Sequence, residues 1–370
     1  MPRYYLLIAA AVSVLFVSAC DVTRTPETPT RQPAATVNNA TIPSQFKKVS
    51  FAELPGWKAD DMRYALRAFR NTCKAKVQYN GRVIPDRFML EEKCQFLPSE
   101  SADNATVRAW FESHFQPYQI VTDTGATKGL FTGYYSPTID ACRRKTAKCD
   151  EPLMGLPTDG RNIKGVPRKQ IVDNMIGQPL YWANLVDVQN IQIQGSGTLR
   201  LECGTLVKLN FAAVNDMPFG SIGEQLKQRG IRPAGGYSAD AVWDHLKQNP
   251  ALAREVINNN QRYVFFKEAQ SHDVIGAMGV PLTKIRSIAI DNTIYTLGLP
   301  VFIDTNLSDG RKFQRLMIAQ DTGGAIRGLI RGDIYFGTGD EAFHYARGQH
   351  AQGAAFILIP KKYEYVKPSF

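Results

Sequence analysis

Histidine is scarce, at five residues in 370, and neither a CxxC nor an HExxH spacing occurs. His114, His245, His272, His344 and His350 lack ligand spacing, so a zinc site is disfavoured and the chain is expected to work without a metal or other cofactor. Long Lys/Arg runs are also missing. The net charge of +10 is scattered, and it reads equally as a solvated positive surface or as attraction for an anionic partner such as a membrane, nucleic acid or a carboxylate-rich cell wall. Asp321-Thr322-Gly323 matches the aspartic protease triplet, but no second DTG or DSG supplies the partner aspartate, so a protease would need a symmetric dimer.

The apolar run from Leu6 to Ala19, with Arg3 before it, is too short for a comfortable transmembrane helix and suits a signal peptide spanning 1–19. It ends Leu-Phe-Val-Ser-Ala-Cys, which resembles a bacterial lipobox with Cys20 as the acylated residue. Export argues against nucleic acid as a partner. Asp21 after the lipidated position favours the inner membrane in some Gram-negative bacteria. Residues 20–44, rich in Thr, Pro, Ala and Asn, read as a flexible tether that reaches on the order of 80 Å at ~3.3–3.6 Å per residue.

Cys73, Cys94, Cys142, Cys149 and Cys203 remain, and an oxidising compartment favours disulfides. Pairing Cys73 with Cys94 closes a loop of about 20 residues, worth roughly 3 kcal/mol. Cys142 with Cys149 would staple the basic loop RRKTAK, leaving Cys203 unpaired.

The remaining body, about 325 residues, is long enough for two domains. Residues 58–74 read as an amphipathic helix capped by Asp60 or Asp61, with Met62, Ala65, Leu66 and Phe69 on one face. Asp103 can cap a second helix, with Val107, Trp110, Phe111 and Phe115 inward and Pro117 as its stop. That helix carries Glu112-Ser113, a pair found in lysozyme-like lytic transglycosylases, although a solvent-facing glutamate is the expected reading. From Phe131 to Phe211 the pattern suggests short strands and turns, including QIQGSG and a hairpin with Leu199, Leu201, Leu206 and Leu209 around Cys203-Gly204. Ser221 and Glu224 form a capping box, and helices follow at 239–248 and 250–259. Tyr134, Tyr135 and Gln194 fit either sugar stacking and hydrogen bonding or simple core packing.

From Gly279 onward, short apolar segments bounded by Gly, Pro and Asp predict a small closed barrel, with Asp291, Asp321 and Asp333 at segment ends. The stretch Ala319 to Gly339, AQDTGGAIRGLIRGDIYFGTG, is the expected site of chemistry. An aspartate beside Ile334, Tyr335 and Phe336 is either exposed at a strand end or raised in pKa by desolvation, and a raised pKa makes a general acid. Asp321 can raise it further by like-charge repulsion, or can shape the turn by accepting the Gly323 and Gly324 amides.

The ordered blocks FTGYYSP, PLYWANLVDVQNIQIQGSG, SIGEQLKQRG, NPALAREVINNNQRYVFFK, RSIAID, LGLPVFID, QDTGGAI and GDIYFGTG resemble the membrane-bound lytic transglycosylase A family, with its C-terminal three-aspartate domain. The resemblance runs from about Phe51 to the C-terminus. It implies a mainly β protein: a double-psi β-barrel catalytic domain from 45–136 and 270–370, a smaller β domain inserted at 137–269, a few peripheral helices, and a glycan groove between the domains. It further implies cleavage of peptidoglycan glycan strands with Asp333 as the single acid/base, Asp321 and Asp291 in support, and the groove lined by Thr132, Gly133, Tyr134, Tyr135, Gln194, Gly195, Ser196 and Gly197. The expected place is the periplasmic face of a Gram-negative membrane, outer by the family's habit and inner by Asp21. Cell-wall synthesis complexes are the natural assembly partners. A non-catalytic peptidoglycan-binding lipoprotein is the rival reading, since the fold alone does not separate the two.

Overall fold

The computed structural model describes residues 45–75 and 87–361; Cys20, Asp21 and the tether lie outside them. After β1 (Phe46–Lys48), the Asp61 carboxylate accepts the Arg63 amide and opens α1 (Met62–Cys73), whose Met62, Ala65, Leu66 and Phe69 are all buried. Asp60 is used elsewhere. A Cys73–Cys94 disulfide, with Cα atoms 5.7 Å apart, ties the end of α1 to the end of α2 (Arg87–Lys93). Asp103 caps α3 (Asn104–His114) through the Thr106 amide at 2.7 Å.

Pro117 does not stop that helix. The chain passes from His114 straight into β2 (Phe115–Ile120), where the Pro117 carbonyl takes the Val49 amide at 3.2 Å, a role that needs no N–H. Glu112 is not simply solvated either, because its carboxylate accepts the Trp57 indole N–H at 2.7 Å.

β3 (Gly129–Ser136) leads into a six-stranded sheet made of β4 (Thr138–Cys142), β5 (Glu151–Gly155), β6 (Gln178–Ala183), β7 (Ser196–Leu201), β8 (Leu206–Val214) and β9 (Val264–Glu268), in the order β5-β6-β4-β7-β8-β9. Short helices surround it: α4 (Arg168–Asp173), α5 (Leu185–Gln194), α6 (Ile222–Gln228), α7 (Ala239–Gln248) and α8 (Pro250–Asn259). Cys142 and Cys149 are bonded, and Cys203 is free and exposed in the β7–β8 turn. Two expectations fail in this region. QIQ belongs to a helix, because Asn184 caps α5, Leu185, Val188 and Ile191 supply its buried face, and Gly195 ends it at φ 78°. Leu206 is 53% exposed while Leu209 is buried, since residues three apart on a strand point to opposite faces.

The chain then returns as β10 (Ser287–Ala289), β11 (Pro300–Asn306), β12 (Lys312–Asp321), β13 (Arg331–Thr338), α9 (Gly339–Ala346) and β14 (His350–Pro360). The strand order β14-β11-β12-β10-β13-β3 closes back on β14, making a six-stranded double-psi barrel with parallel pairs β10/β12 and β13/β3; β1 and β2 extend the sheet beyond β14. Phe131, Ile288, Phe302, Ile318, Ile334, Phe336 and Phe356 fill its core, onto which α1 and α3 also pack.

A buried ion pair pins the start of β10. Arg286, 1% exposed, donates to both oxygens of Asp60 at 2.7 and 2.8 Å and to the Leu316 and Asp61 carbonyls, while the Leu316 amide donates to Asp60. Removing one member strands the other charge away from water. Asp60→Asn is therefore expected to destabilise the body by about 3 kcal/mol or more in urea unfolding, and an unchanged midpoint would show that the pair carries no such weight.

Candidate active site

Along β13 the side chains alternate: Gly332, Ile334 and Phe336 face the barrel core, so Arg331, Asp333 and Tyr335 face outward. The parallel neighbour β3 matches Thr132 to Asp333 and Tyr134 to Tyr335, placing these on the same outer wall. On the other side, β10 sets Ala289 opposite both Asp333 of β13 and Asp321 of β12. The two aspartates thus flank one alanine, their Cα atoms about 9–10 Å apart at ~4.8 Å per strand spacing.

Asp333 accepts the Thr132 hydroxyl at 2.5 Å on Oδ1, and that hydroxyl oxygen accepts Arg331 Nη2 at 2.9 Å. Its Oδ2 has no partner among the described residues, yet it is open to solvent. Asp321 differs. Its Oδ2 accepts the Tyr134 phenol at 2.7 Å, and its Oδ1 accepts the Ala277 and Thr322 amides at 2.8 and 2.9 Å.

These surroundings separate the two acids. Burial pushes the Asp333 carboxyl up to about 6; the Thr132 hydrogen bond and the Arg331 charge oppose this, and the Asp321 charge adds the smallest push. Burial also raises Asp321, but the phenol and two amides all favour its charged form. Protein crowds both side chains on most sides while a window to solvent remains. Asp333 is therefore suited to carry and deliver a proton, while Asp321 is held in place beside it by three donors. Desolvation, rather than repulsion between the aspartates, does most of the tuning.

The other residues singled out from the sequence divide between the site and its supports. Asp291 is buried in the turn after β10; burial alone would raise its carboxyl, but the Gly328 amide, the Thr293 hydroxyl and amide, and the Arg327 charge together hold it below the usual range. It shapes that turn. The Gly323 and Gly324 amides do not serve Asp321; the Gly323 carbonyl instead accepts the Ile326 amide at 3.0 Å, and Gly324 lies against Arg262. Gly133 faces the core, where a Cβ would come within 2.5 Å of the Phe336 ring.

Tyr134 is only 9% exposed, packs on Tyr335 with ring centroids 5.3 Å apart, and has its phenol pKa driven well above normal by burial and by Asp321. Tyr135 is buried against Phe343 and hydrogen-bonded to Asn190. Both rings are largely taken up by packing contacts. Gln194 accepts the Tyr135 amide at 3.3 Å, Gly195 is half-buried beside it, and Ser196 and Gly197 are buried where β3 crosses into the second sheet. There the Ser136 hydroxyl oxygen accepts both Ser196 and Lys208, whose ammonium pKa burial lowers to about 8. The QGSG block thus helps to secure this crossing.

Arg331, Tyr335, Ala277 and Lys208 escaped sequence reading; the alternation Arg331-x-Asp333-x-Tyr335 was the one available signal. A cavity of about 340 Å³ lies elsewhere, lined by residues including Tyr135, Asn190, Trp243, Phe343, Asp340 and Lys247. Neither Asp333 nor Asp321 lines it.

Residues 130–267 match a family profile described as the MltA specific insert domain, and 286–359 match the 3D domain. A membrane-bound lytic murein transglycosylase A of Vibrio cholerae is 33% identical over 232 residues, 58% of this chain and 62% of that protein. The chain spans about three fifths of that relative's length. Among solved structures, a membrane-bound lytic murein transglycosylase from Agrobacterium tumefaciens is similar with TM-score 0.76 at 28% identity, over 85% of this chain and 98% of its own. A lytic transglycosylase of Burkholderia pseudomallei has TM-score 0.58 at 30% identity, over 86% and 96%.

The Thr132 hydrogen bond lowers the Asp333 pKa, so deleting it should raise that pKa. Carbon-13 NMR titration of the Asp333 carboxyl is expected to give a midpoint about 6 in the wild type and a higher one in Thr132→Val. An equal or lower midpoint would remove Thr132 from the tuning of Asp333.

Proposed function

Because the chain belongs to the membrane-bound lytic murein transglycosylase A family, we propose that it cleaves the β-1,4 bond between N-acetylmuramic acid and N-acetylglucosamine in peptidoglycan, with Asp333 as the single acid/base. The observation that carries this reading is the contrast between the aspartates: Asp333 has a raised pKa and one unbonded, solvent-open oxygen, whereas Asp321 has both oxygens engaged. A hydrolase with two carboxylates needs the second free to position water or attack carbon. Asp321 is poorly placed to do either.

In the proposed reaction Asp333 gives its proton to the leaving glycosidic oxygen as that oxygen's bond to the anomeric carbon breaks. The resulting carboxylate then takes the proton of the muramic acid C6 hydroxyl while its oxygen bonds to the anomeric carbon. The product end is 1,6-anhydro-N-acetylmuramic acid, and Asp333 finishes protonated. Asp321 and the Arg331–Thr132 pair fix the electrostatics in which Asp333 works. In this reading the barrel segments 45–136 and 270–370 and the insert 137–269 are the two walls of the groove. A lipid on Cys20 holds the body at the periplasmic face of a Gram-negative membrane, within reach of cell-wall synthesis partners.

Only protonated Asp333 starts the reaction, so turnover should fall as pH rises through about 6. Zymography on purified sacculi should show clearing by the wild type, and Asp333→Asn should lose about 10²- to 10⁴-fold in turnover. Near-normal turnover in that variant would contradict the assignment.

The same substitution tests the cost of the site. A carboxyl whose folded pKa exceeds its unfolded value holds extra protons in the native state between about pH 4 and 6, so its stability penalty grows across that window and is complete above it. Discounted for partial solvent access, Asp333→Asn should gain about 1–3 kcal/mol over the wild type above pH 7 and nothing below about pH 4. A variant less stable than wild type at neutral pH would contradict the raised pKa.

A further inference from the structure

Arg262 sits in the turn before β9, and its backbone is held on both sides: Asn215, fully buried, donates to the Gln261 carbonyl at 2.8 Å and accepts the Tyr263 amide at 2.8 Å. From this fixed base the guanidinium crosses to the barrel and lies on Gly324, where a Cβ would be 3.3–3.4 Å from its carbon and both terminal nitrogens. It is half-buried, and burial lowers its pKa. Its compensation is nonetheless slight. The side chain's one hydrogen bond is to the Met217 carbonyl at 3.5 Å, no carboxylate comes within ion-pair distance among the described residues, and Nε and Nη2 are unbonded but open to solvent.

A second guanidinium lies beside it. Arg327 is exposed and donates to the Gly323 and Ile326 carbonyls at 3.3 and 2.9 Å, so the two cations meet at adjacent glycines and the Arg327 charge disfavours that of Arg262. Asp291, 3.6 Å from Arg327, is already occupied by three other donors, and Asp216, which attracts Arg262, is paired with Lys164. Two guanidinium forks that meet at Gly323 and Gly324, with Arg262 short of partners, make a receptor for a planar anion. Charge burial of this kind is costly unless a partner arrives.

We propose that Arg262 and Arg327 form a carboxylate-binding station that recognises the peptide stem carried by the muramic acid ring, so that the enzyme prefers peptide-bearing glycan to bare glycan. This rests on the transglycosylase reading above and adds the feature of the substrate that is read. A side chain at Gly324 would press on the guanidinium, since its Cβ would stand 3.3–3.4 Å away.

The test compares kcat/KM on purified glycan strands with their stems intact and on the same strands stripped of peptide by an amidase. The wild type should favour stem-bearing strands, and Arg262→Gln should lower the ratio of the two kcat/KM values by about tenfold or more, as expected for a lost charge-assisted bond, mainly through KM on the stem-bearing substrate. Arg262→Lys should restore part of the ratio. Arg327→Gln, which alters an exposed side chain, should lower it in the same direction even where Arg262 variants fold poorly. An unchanged ratio in all three variants would overturn the station while leaving the transglycosylase reading intact; a wild type that cleaves neither substrate would overturn both.

Discussion

Ala289 occupies the position on which the site depends. It lies in a strand of only three residues, hydrogen-bonded on one side to the strand that ends in Asp321 and on the other to the strand that carries Asp333. Its small side chain faces the same outer wall as the two carboxyls, while Ile288 and Ile290 are buried in the core. Were this strand to slip by one residue, an isoleucine would be forced between the acids and an alanine into the core. The register is held from its N-terminal end, where Arg286 is clamped by Asp60, and from its side, where Ser287 donates to Gln320 and Gln320 donates to the Ala68 carbonyl and Thr72 of α1.

The same frame explains how a barrel built mostly for stability carries a strained electrostatic site. Desolvation raises both aspartates, and three hydrogen bonds oppose that rise at Asp321 while Asp333 accepts only one. The asymmetry comes from neighbours on different elements. Tyr134 and Thr132 sit on β3, two residues apart and on one face, so a single strand supplies the phenol to Asp321 and the hydroxyl to Asp333.

Local signals made much of this legible in the sequence. The helices expected at 239–248 and 250–259 are present with those bounds, and the face of α1 follows its spacing of Met62, Ala65, Leu66 and Phe69. The three aspartates stood out because charge is rare among apolar strand residues. Failures came where a local cue competed with a long-range one. Pro117 reads as a helix stop but serves in a strand paired between β1 and β14, and QIQGSG reads as a turn because its glycines mask the helix that precedes them. The supports of the site were out of reach: Thr132 and Asp333 are 201 residues apart, and no periodicity in either segment announces their contact. The tyrosines of FTGYYSP offered sugar stacking or core packing equally, and both are largely buried.

The central claim is that one carboxyl performs the whole reaction because the substrate brings its own nucleophile. Intramolecular capture by the C6 hydroxyl has the high effective molarity of a tethered group and needs no positioned water. Mass spectrometry of glycan released from sacculi reads this directly. The account predicts ends of 1,6-anhydro-N-acetylmuramic acid, one water lighter than a hydrolytic product and without a reducing end; predominantly reducing muramic acid ends would contradict it.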